Sequence, residues 1–212
     1  MKIYNWQFAP NCRRVRMFML EKQLDLPALE EVIGDGFRLR PAYVDKWPHA
    51  MVPMLETDEG VRIGEAMAIC RYLEDVYPEP PLMGATAVEK GLVEMWERRA
   101  YDEGLIGCAE VFRNTHPAFV DRGLPGSLEP VPQIPDLVAR GHGRVRRFFQ
   151  KFEQQLAHSH FVAGDRFSVA DITTLCVSDF AKFNQIDIPT DCPAFARWYA
   201  EVTIRPSAQA SR

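Results

Sequence analysis

The segment that decides the fold is MVPMLETDEGVRIGEAMAICRYLEDVYPEPPLMG, residues 51–84. Two short β-prone runs, residues 54–57 and 61–63, flank a loop that contains glycine, which predicts a β-hairpin. Apolar residues then recur at helical spacing over residues 65–76, so an amphipathic helix is predicted there. The proline-rich residues 78–81 are predicted to form a linker, because proline cannot continue a helix.

The residues before this segment predict a strand–helix–strand unit. Residues 2–6 form a short, aromatic, β-prone run, and a helix is predicted between Pro10 and Gln23. Residues 29–33 are the next strand candidate, and residues 34–50 are predicted to be loop with a turn or two of helix. The order βαβ, loop, ββα predicts that the first 80 residues form one α/β layer, with helices packed on a sheet.

The residues after the linker predict an all-helical second domain, residues 86–212. Thr86 and Glu89 have the spacing of a capping box, in which a hydroxyl and a carboxylate satisfy backbone amides at a helix start. Three apolar side chains of the following segment share one helical face: Val88, Leu92 and Met95. A second amphipathic helix is predicted from the apolar residues Val145, Phe148, Phe149, Phe152 and Leu156.

The rest of this half contains a loop and two helix starts. Residues 124–135 carry several prolines and glycines and are predicted to be a loop. Ser168 and Asp171 mark a helix start, and residues 172–177 are apolar on nearly every side, so this helix is predicted to be central and buried. Pro193 is predicted at the first position of the last helix.

Composition excludes several classes of protein. Of 212 residues, 47% are hydrophobic and 25% are charged, as expected of a globular protein with a sizeable core. The net charge of -4 gives no reason to expect a nucleic-acid partner, and the basic residues near Arg144 are interpreted as a solvated helix face. No signal peptide or membrane-spanning run is found. The 5 cysteines are scattered without metal-ligand spacing, which predicts no metal, no disulfide framework and a reducing cytoplasm.

Three segments together resemble the cytosolic glutathione S-transferase family. They are residues 51–84, the segment FVAGDRFSVADIT at 161–173, and PAFARWYAEVTIRPS from Pro193. The resemblance covers essentially the whole chain, and residues 89–117 look most like a bacterial branch related to a yeast glutathione transferase. It implies a thioredoxin-like N-terminal domain followed by an all-helical C-terminal domain, which lines the electrophile site.

The same resemblance implies an activity and an assembly. The expected reaction is conjugation of the glutathione thiolate to small hydrophobic electrophiles, a detoxification chemistry, with glutathione as co-substrate and no metal. A homodimer is expected, formed mostly by the helices that start at Glu65 and Glu89.

The resemblance also assigns a set of glutathione-binding residues. Pro53 is cis in such proteins, and the backbone amide and carbonyl of Val52 then pair with the cysteinyl backbone of glutathione. Glu65, at a helix N-terminus, is expected to pair with the γ-glutamyl ammonium, while Ala66 stands where the family usually has Ser and keeps only its amide. His49 is a candidate for the glycyl carboxylate. The alternative for Pro53 is a proline that starts a strand without a ligand role. The alternative for Glu65 is a first-turn acid that interacts favourably with the helix dipole and binds no ligand.

The catalytic position departs from the family, because Ala9 stands where several classes have Ser or Cys. Asn11 can donate an amide N–H to the sulfur, and Cys12 is a candidate reactive thiol at a helix N-terminus. Buried packing is the alternative for Cys12. Arg113 and His116, in the first long helix of the C-terminal domain, are further candidate donors, although His116-Pro117 also reads as an ordinary helix end. In the same helix, Tyr101 and Trp96 are predicted to line an apolar pocket.

Two other functions stay open on the sequence. Since Ala9 and Ala66 lack the usual hydroxyls, the chain can be a glutathione-binding or protein-interaction member of the fold with little or no transferase activity. A glutathione-dependent disulfide reductase is the other alternative, and Cys12 is the thiol on which it depends.

Overall fold

The structure is a computed structural model that describes residues 1–24, 29–34 and 37–211. Its regular elements are, in chain order, β1 (Lys2–Asn5), α1 (Pro10–Glu21), β2 (Leu29–Glu31), α2 (Pro41–Lys46), β3 (Met54–Glu56), β4 (Arg62–Gly64), α3 (Ala66–Val76), α4 (Ala87–Arg99), a π turn (Ala100–Leu105), α5 (Ile106–Thr115), a 3₁₀ turn (Pro117–Phe119), α6 (Pro135–Leu156), α7 (Val169–Phe183), α8 (Pro193–Thr203) and α9 (Pro206–Ala210). The predicted fold class, a thioredoxin-like α/β layer followed by helices, is confirmed.

The sheet has four strands in the order β2-β1-β3-β4, with β1 parallel to β2 and the other pairs antiparallel. Tyr4 pairs with Met54, and Met54 pairs with Gly64. The end of β1, the start of β3 and the end of β4 therefore lie at one end of the sheet. Helices α1 and α3 both begin at this end, because each follows directly from β1 or β4.

The strands are shorter than the sequence predicted. The predicted run at 29–33 ends as a strand at Glu31, and Ile33 forms an isolated bridge with Leu39 instead. The predicted loop with a turn or two of helix contains α2, which starts at a proline and ends before Trp47. The helix predicted to start at Glu65 begins one residue later, with Glu65 as its N-cap.

Helices α6 and α7 form the centre of the helical half. The five predicted apolar residues of α6 are at most 2% exposed: Val145, Phe148, Phe149, Phe152 and Leu156. Burial of each large side chain contributes about 1.5–3 kcal/mol to folding. Residues 169–178 of α7 are all buried, and the capping boxes at Thr86–Glu89 and Ser168–Asp171 are both formed. The predicted central helix and both predicted helix starts are thus confirmed.

Two features of α4 and the turn that follows it were not predicted from the sequence. The face formed by Val88, Leu92 and Met95 is exposed, whereas the buried residues of α4 are Val93, Trp96 and Glu97. The π turn that follows contains Gly104, which packs closely against two other helices. A Cβ there would lie 2.5 Å from Val177 of α7 and 3.0 Å from Phe148 of α6, so the backbone approaches both helices closely.

The linker after α3 is held by one buried lysine, Lys22, which directly follows α1. The ammonium of Lys22 donates to the carbonyl oxygens of Tyr77, Pro78 and Pro80 at 2.7, 3.2 and 2.6 Å. It also pairs with Glu74 at 2.6 Å. Proline-rich segments leave backbone carbonyls without helical partners. The ammonium of Lys22 supplies hydrogen bonds to three of these carbonyls and so fixes the path of the chain into the helical half. Within the described ranges, no helix combines the length and hydropathy needed to cross a membrane.

Candidate functional site

Most of the sequence-predicted glutathione-binding residues converge at one end of the sheet. Val52 precedes β3, Glu65 follows β4, and Asn11 lies in the first turn of α1 after β1. The helix starts of α1 and α3 add unpaired backbone amides and the positive ends of two helix dipoles. This end of the sheet is therefore suited to an anionic, peptide-like ligand.

The Val52-Pro53 peptide bond is cis, as expected, and Pro53 is buried at the entrance to β3. Among the described residues, neither the amide nor the carbonyl of Val52 has a hydrogen-bond partner. The preceding carbonyl, that of Met51, accepts a bond of 2.6 Å from the Tyr43 hydroxyl, which anchors the segment. A half-exposed residue with an open donor and acceptor at the start of a strand can pair with another main chain as an added strand.

Glu65 occupies a backbone conformation that side chains rarely adopt, with φ of 61° and ψ of 123°. Such conformations cost about 1–3 kcal/mol and are found most often at functional sites. The exposed Glu65 carboxylate lies close enough to the Tyr101 hydroxyl to raise the pKa of Tyr101, after burial as the larger cause. Tyr101, on the π turn of the helical half, therefore lies near the carboxylate at the start of α3. The buried Ala66 supplies a backbone amide at the first position of that helix.

Trp47 fills the space behind this junction, a contact that the sequence did not predict. A Cβ on Gly64 would lie 2.7 Å from the Trp47 ring, so only glycine permits this approach. His49 packs edge-on against the same ring at 4.5 Å and keeps its own side chain exposed. The structure thus places His49 on the rim of the site, next to the β4–α3 junction.

The start of α1 provides one amide side chain. Ala9 is the N-cap and has no side chain that caps the helix, as its identity requires. Asn11 is half-exposed, and its Oδ1 accepts a bond of 2.8 Å from the buried guanidinium of Arg14. This leaves the Nδ2 group of Asn11 as the donor on the other side of the amide. Sequence reasoning missed Arg14, although a charged residue one turn after Asn11 on the buried face of α1 is a readable signal.

The hypothesis of a reactive Cys12 is corrected by the structure. Its thiol is 1% exposed and accepts a bond of 3.3 Å from the backbone amide of Trp6. Burial raises the pKa of Cys12 to about 12, which is the opposite of what a nucleophilic thiol needs. The disulfide-reductase alternative loses its thiol for the same reason.

Arg113 and Trp96, two further candidates, make contacts that support the fold of the helical half. Arg113 donates to the carbonyl oxygen of Arg122 at 2.8 Å and lies over the Phe119 ring at 4.9 Å, so it holds the loop after α5. Burial, together with Arg122, lowers the pKa of Arg113 to about 10. Trp96 packs against Phe152 in the helical core at 5.2 Å and does not line the predicted pocket. The prediction for Trp96 is wrong.

An aromatic path crosses from the α/β layer to the helical half beside the start of α1. Successive ring centroids are 5.0–6.4 Å apart along Phe8, Trp6, Phe37, His116, Phe112 and Phe183. Phe8, Phe37 and Phe183 are 74%, 41% and 67% exposed, so this path is an apolar surface open to solvent. His116 accepts a bond of 3.2 Å from the Ala118 amide at Nδ1, so the neutral ring carries its proton on Nε2.

Comparisons with known proteins agree with this arrangement. The family models described as "Glutathione S-transferase, N-terminal domain" and "Glutathione S-transferase, C-terminal domain" match residues 3–81 and 130–206. Glutathione S-transferase 2 of Saccharomyces cerevisiae is 31% identical over 212 residues, which covers 99% of this chain and 88% of the yeast protein.

Two solved structures resemble the fold over its whole length. The crystal structure of Gtt2 from Saccharomyces cerevisiae has a TM-score of 0.88 and 30% identity and covers 100% of both chains. A glutathione S-transferase domain-containing protein from Marinobacter aquaeolei VT8 has a TM-score of 0.86 and 32% identity, with 98% of this chain and 100% of that chain covered. The chain therefore belongs to the glutathione S-transferase family of enzymes, and its predicted relation to a yeast member is confirmed.

Proposed function

We propose that this protein conjugates the thiolate of glutathione to small hydrophobic electrophiles. The observation that carries the proposal is the convergence of an open main-chain edge at Val52, a carboxylate at Glu65 and the amide of Asn11 beside the aromatic path. The open main chain of Val52 matches the backbone of a γ-glutamyl tripeptide, and the carboxylate of Glu65 matches its ammonium. The amide of Asn11 lies next to an apolar surface that suits an aromatic electrophile.

Glutathione binds as an added strand against Val52, with its γ-glutamyl end at the start of α3. The α-carboxylate takes the amide of Ala66, and the ammonium pairs with Glu65. The glycyl carboxylate extends toward His49. Residues 1–80 act as the glutathione-binding domain in this proposal, and residues 86–212 line the electrophile site.

The thiol of glutathione must then lose its proton near neutral pH. A thiol with an ordinary pKa of about 8.5 becomes largely ionised if the site lowers the pKa by about two units, which corresponds to about 2.7 kcal/mol. The start of α1 provides this through its unpaired amides and the Nδ2 group of Asn11. The Nε2–H group of His116, which lies in the aromatic path, is a second candidate donor. Arg113, which holds the loop after α5, and the buried thiol of Cys12 take no part in this step.

The test is a titration of bound glutathione by the ultraviolet absorbance of the thiolate. We expect saturating glutathione to develop the thiolate band with a pKa about two units below the ordinary value. S-methylglutathione, which has no titratable thiol, is the matched control. A complex that binds glutathione but shows no thiolate band below pH 8 contradicts ionisation. Such a result favours the alternative function, a glutathione-binding or protein-interaction member of the fold with little or no transferase activity, because Ala9 and Ala66 lack the usual hydroxyls.

We also propose a homodimer in the reducing cytoplasm. The exposed apolar face of α4, formed by Val88, Leu92 and Met95, supports a contact between two copies, because isolated proteins rarely expose contiguous apolar surface. The scattered, odd set of cysteines supports the compartment. Sedimentation at micromolar concentration is expected to give twice the mass of the chain, and the mass of a single chain rejects the dimer.

A further inference from the structure

We propose that Arg14 is a positioning residue, which fixes the amide of Asn11 so that its Nδ2–H group faces the glutathione sulfur. This inference rests on the proposed function and names a residue that acts behind the reacting atoms. Arg14 itself does not touch glutathione. Its guanidinium is 1% exposed and lies one helical turn behind Asn11 on α1.

Two hydrogen bonds and one ring contact from the helical half hold the guanidinium of Arg14 in place. Its Nε donates to the Thr173 hydroxyl of α7 at 2.9 Å, and its Nη2 donates to the Glu97 carboxylate of α4. Thr173 also donates to Glu97 at 3.2 Å, so the two partners hold each other. The Tyr101 ring lies 5.5 Å from the same guanidinium. The helical half of the molecule thus sets the direction in which the remaining N–H bonds of Arg14 point.

One of these N–H bonds decides the orientation of Asn11. Nη1 of Arg14 donates to Oδ1 of Asn11 at 2.8 Å. Rotation of the amide by half a turn would bring its NH₂ group against the N–H of Arg14, so two donors would face each other without an acceptor. The NH₂ group is therefore directed away from Arg14, toward the more exposed side of Asn11. Asn11 lies in the first turn of α1, which begins at the end of the sheet where Val52 and Glu65 lie.

A purely structural role for Arg14 predicts something different. The same contacts tie α1 to α4 and α7, so their loss would lower the stability of the domain joint without changing the acidity of a bound thiol. Arg13 provides the comparison, because it also joins α1 to α7, by an ion pair with Asp179 at 2.6 Å, but does not contact Asn11. The pKa of the bound glutathione thiol separates the two roles.

The main variant is Arg14→Lys. Lysine keeps a positive charge beside Glu97, but it lacks the planar fork needed to hold Asn11 at the same time. We expect the pKa of bound glutathione to rise by about one unit, a tenfold change in the thiolate equilibrium, with the affinity for S-methylglutathione within about twofold of the original protein. Asn11→Ala is expected to give the same rise, and Arg14→Lys added to Asn11→Ala is expected to give no more.

The outcomes distinguish this inference from the proposed function. If the unmodified protein does not lower the pKa of glutathione, the proposed function fails. If it does, and Arg14→Lys or Asn11→Ala leaves that pKa unchanged, the proposed function stands and the role of Arg14 is wrong. Arg13→Met is expected to leave the pKa unchanged, and a rise there as large as in Arg14→Lys also overturns the inference. Should Arg14→Lys not fold, Arg14→Met combined with Glu97→Met removes both charges and gives the same test.

Discussion

Substitution of Asp171 by alanine is expected to lower the free energy of unfolding by about 4 kcal/mol. The carboxylate is fully buried and accepts four hydrogen bonds. Oδ1 accepts from the Val162 amide and the Trp198 indole, both at 2.9 Å, and Oδ2 accepts from the amide and hydroxyl of Ser168 at 3.0 and 3.1 Å. Alanine leaves at least two N–H groups buried without an acceptor, each at a cost of about 1–3 kcal/mol.

Urea unfolding at pH 8 measures the effect. Burial raises the pKa of Asp171 to about 6, against the four hydrogen bonds that lower it, so the group is ionised at this pH. Asp136→Ala is the matched control, since Asp136 also lies in the first turn of a helix but is exposed. That variant is expected to change stability by no more than about 0.5 kcal/mol. A loss below about 1 kcal/mol for Asp171→Ala would contradict the argument.

A second variant, Asp171→Asn, tests which property of the carboxylate stabilises the fold. Asp171→Asn keeps the shape of the side chain but presents an NH₂ group where one oxygen accepted two bonds. If the charged carboxylate with both acceptor oxygens is needed, the asparagine variant loses most of the same stability. If it recovers nearly all of it, one acceptor oxygen without the charge is sufficient, and neither the charge nor the second oxygen accounts for the effect of alanine.

Much of the fold was predictable because local signals agreed with one another. The backbone amide of Thr86 donates to the Glu89 carboxylate and the amide of Glu89 donates to the Thr86 hydroxyl, so their spacing alone predicts the start of α4. The strands around the 58–60 loop pair with each other, and the turn residues set their register. For such elements the partners are neighbours in sequence, and the pattern contains the whole interaction.

Other features depend on distant partners and left no such pattern. Asn11 and Cys12 are adjacent, yet one is half-exposed and the other buried, because the rotation of α1 is set by packing against α7 and the sheet. The role of Arg14 depends on Glu97 and Thr173, which lie 83 and 159 residues away along the chain. The exposed face of α4 had the same apolar period as a buried one, since periodicity does not tell which of two faces meets the core.

Substitution of Glu65 by glutamine is expected to weaken glutathione binding by about 10- to 100-fold. The change removes the negative charge but keeps the size of the side chain. A hydrogen bond between charged groups contributes about 1.5–3 kcal/mol, and each 1.4 kcal/mol is a factor of ten in the dissociation constant. Calorimetry with S-methylglutathione measures this effect without any contribution from thiol ionisation. Glu59→Gln, in the exposed hairpin loop, is the matched control and is expected to have no effect.

A glutathione analogue without the α-amino group shows whether Glu65 acts through that ammonium. If the two groups pair, the original protein binds the des-amino analogue about as weakly as Glu65→Gln binds the complete ligand. The substitution then costs little further affinity for the analogue, since the partner of the carboxylate is already missing. An equal loss for both ligands would instead mean that Glu65 acts through the shape of the α3 start, where its φ of 61° already distinguishes it from an ordinary first-turn acid. The size of the coupling, and not the loss of affinity alone, decides whether this carboxylate recognises the γ-glutamyl end.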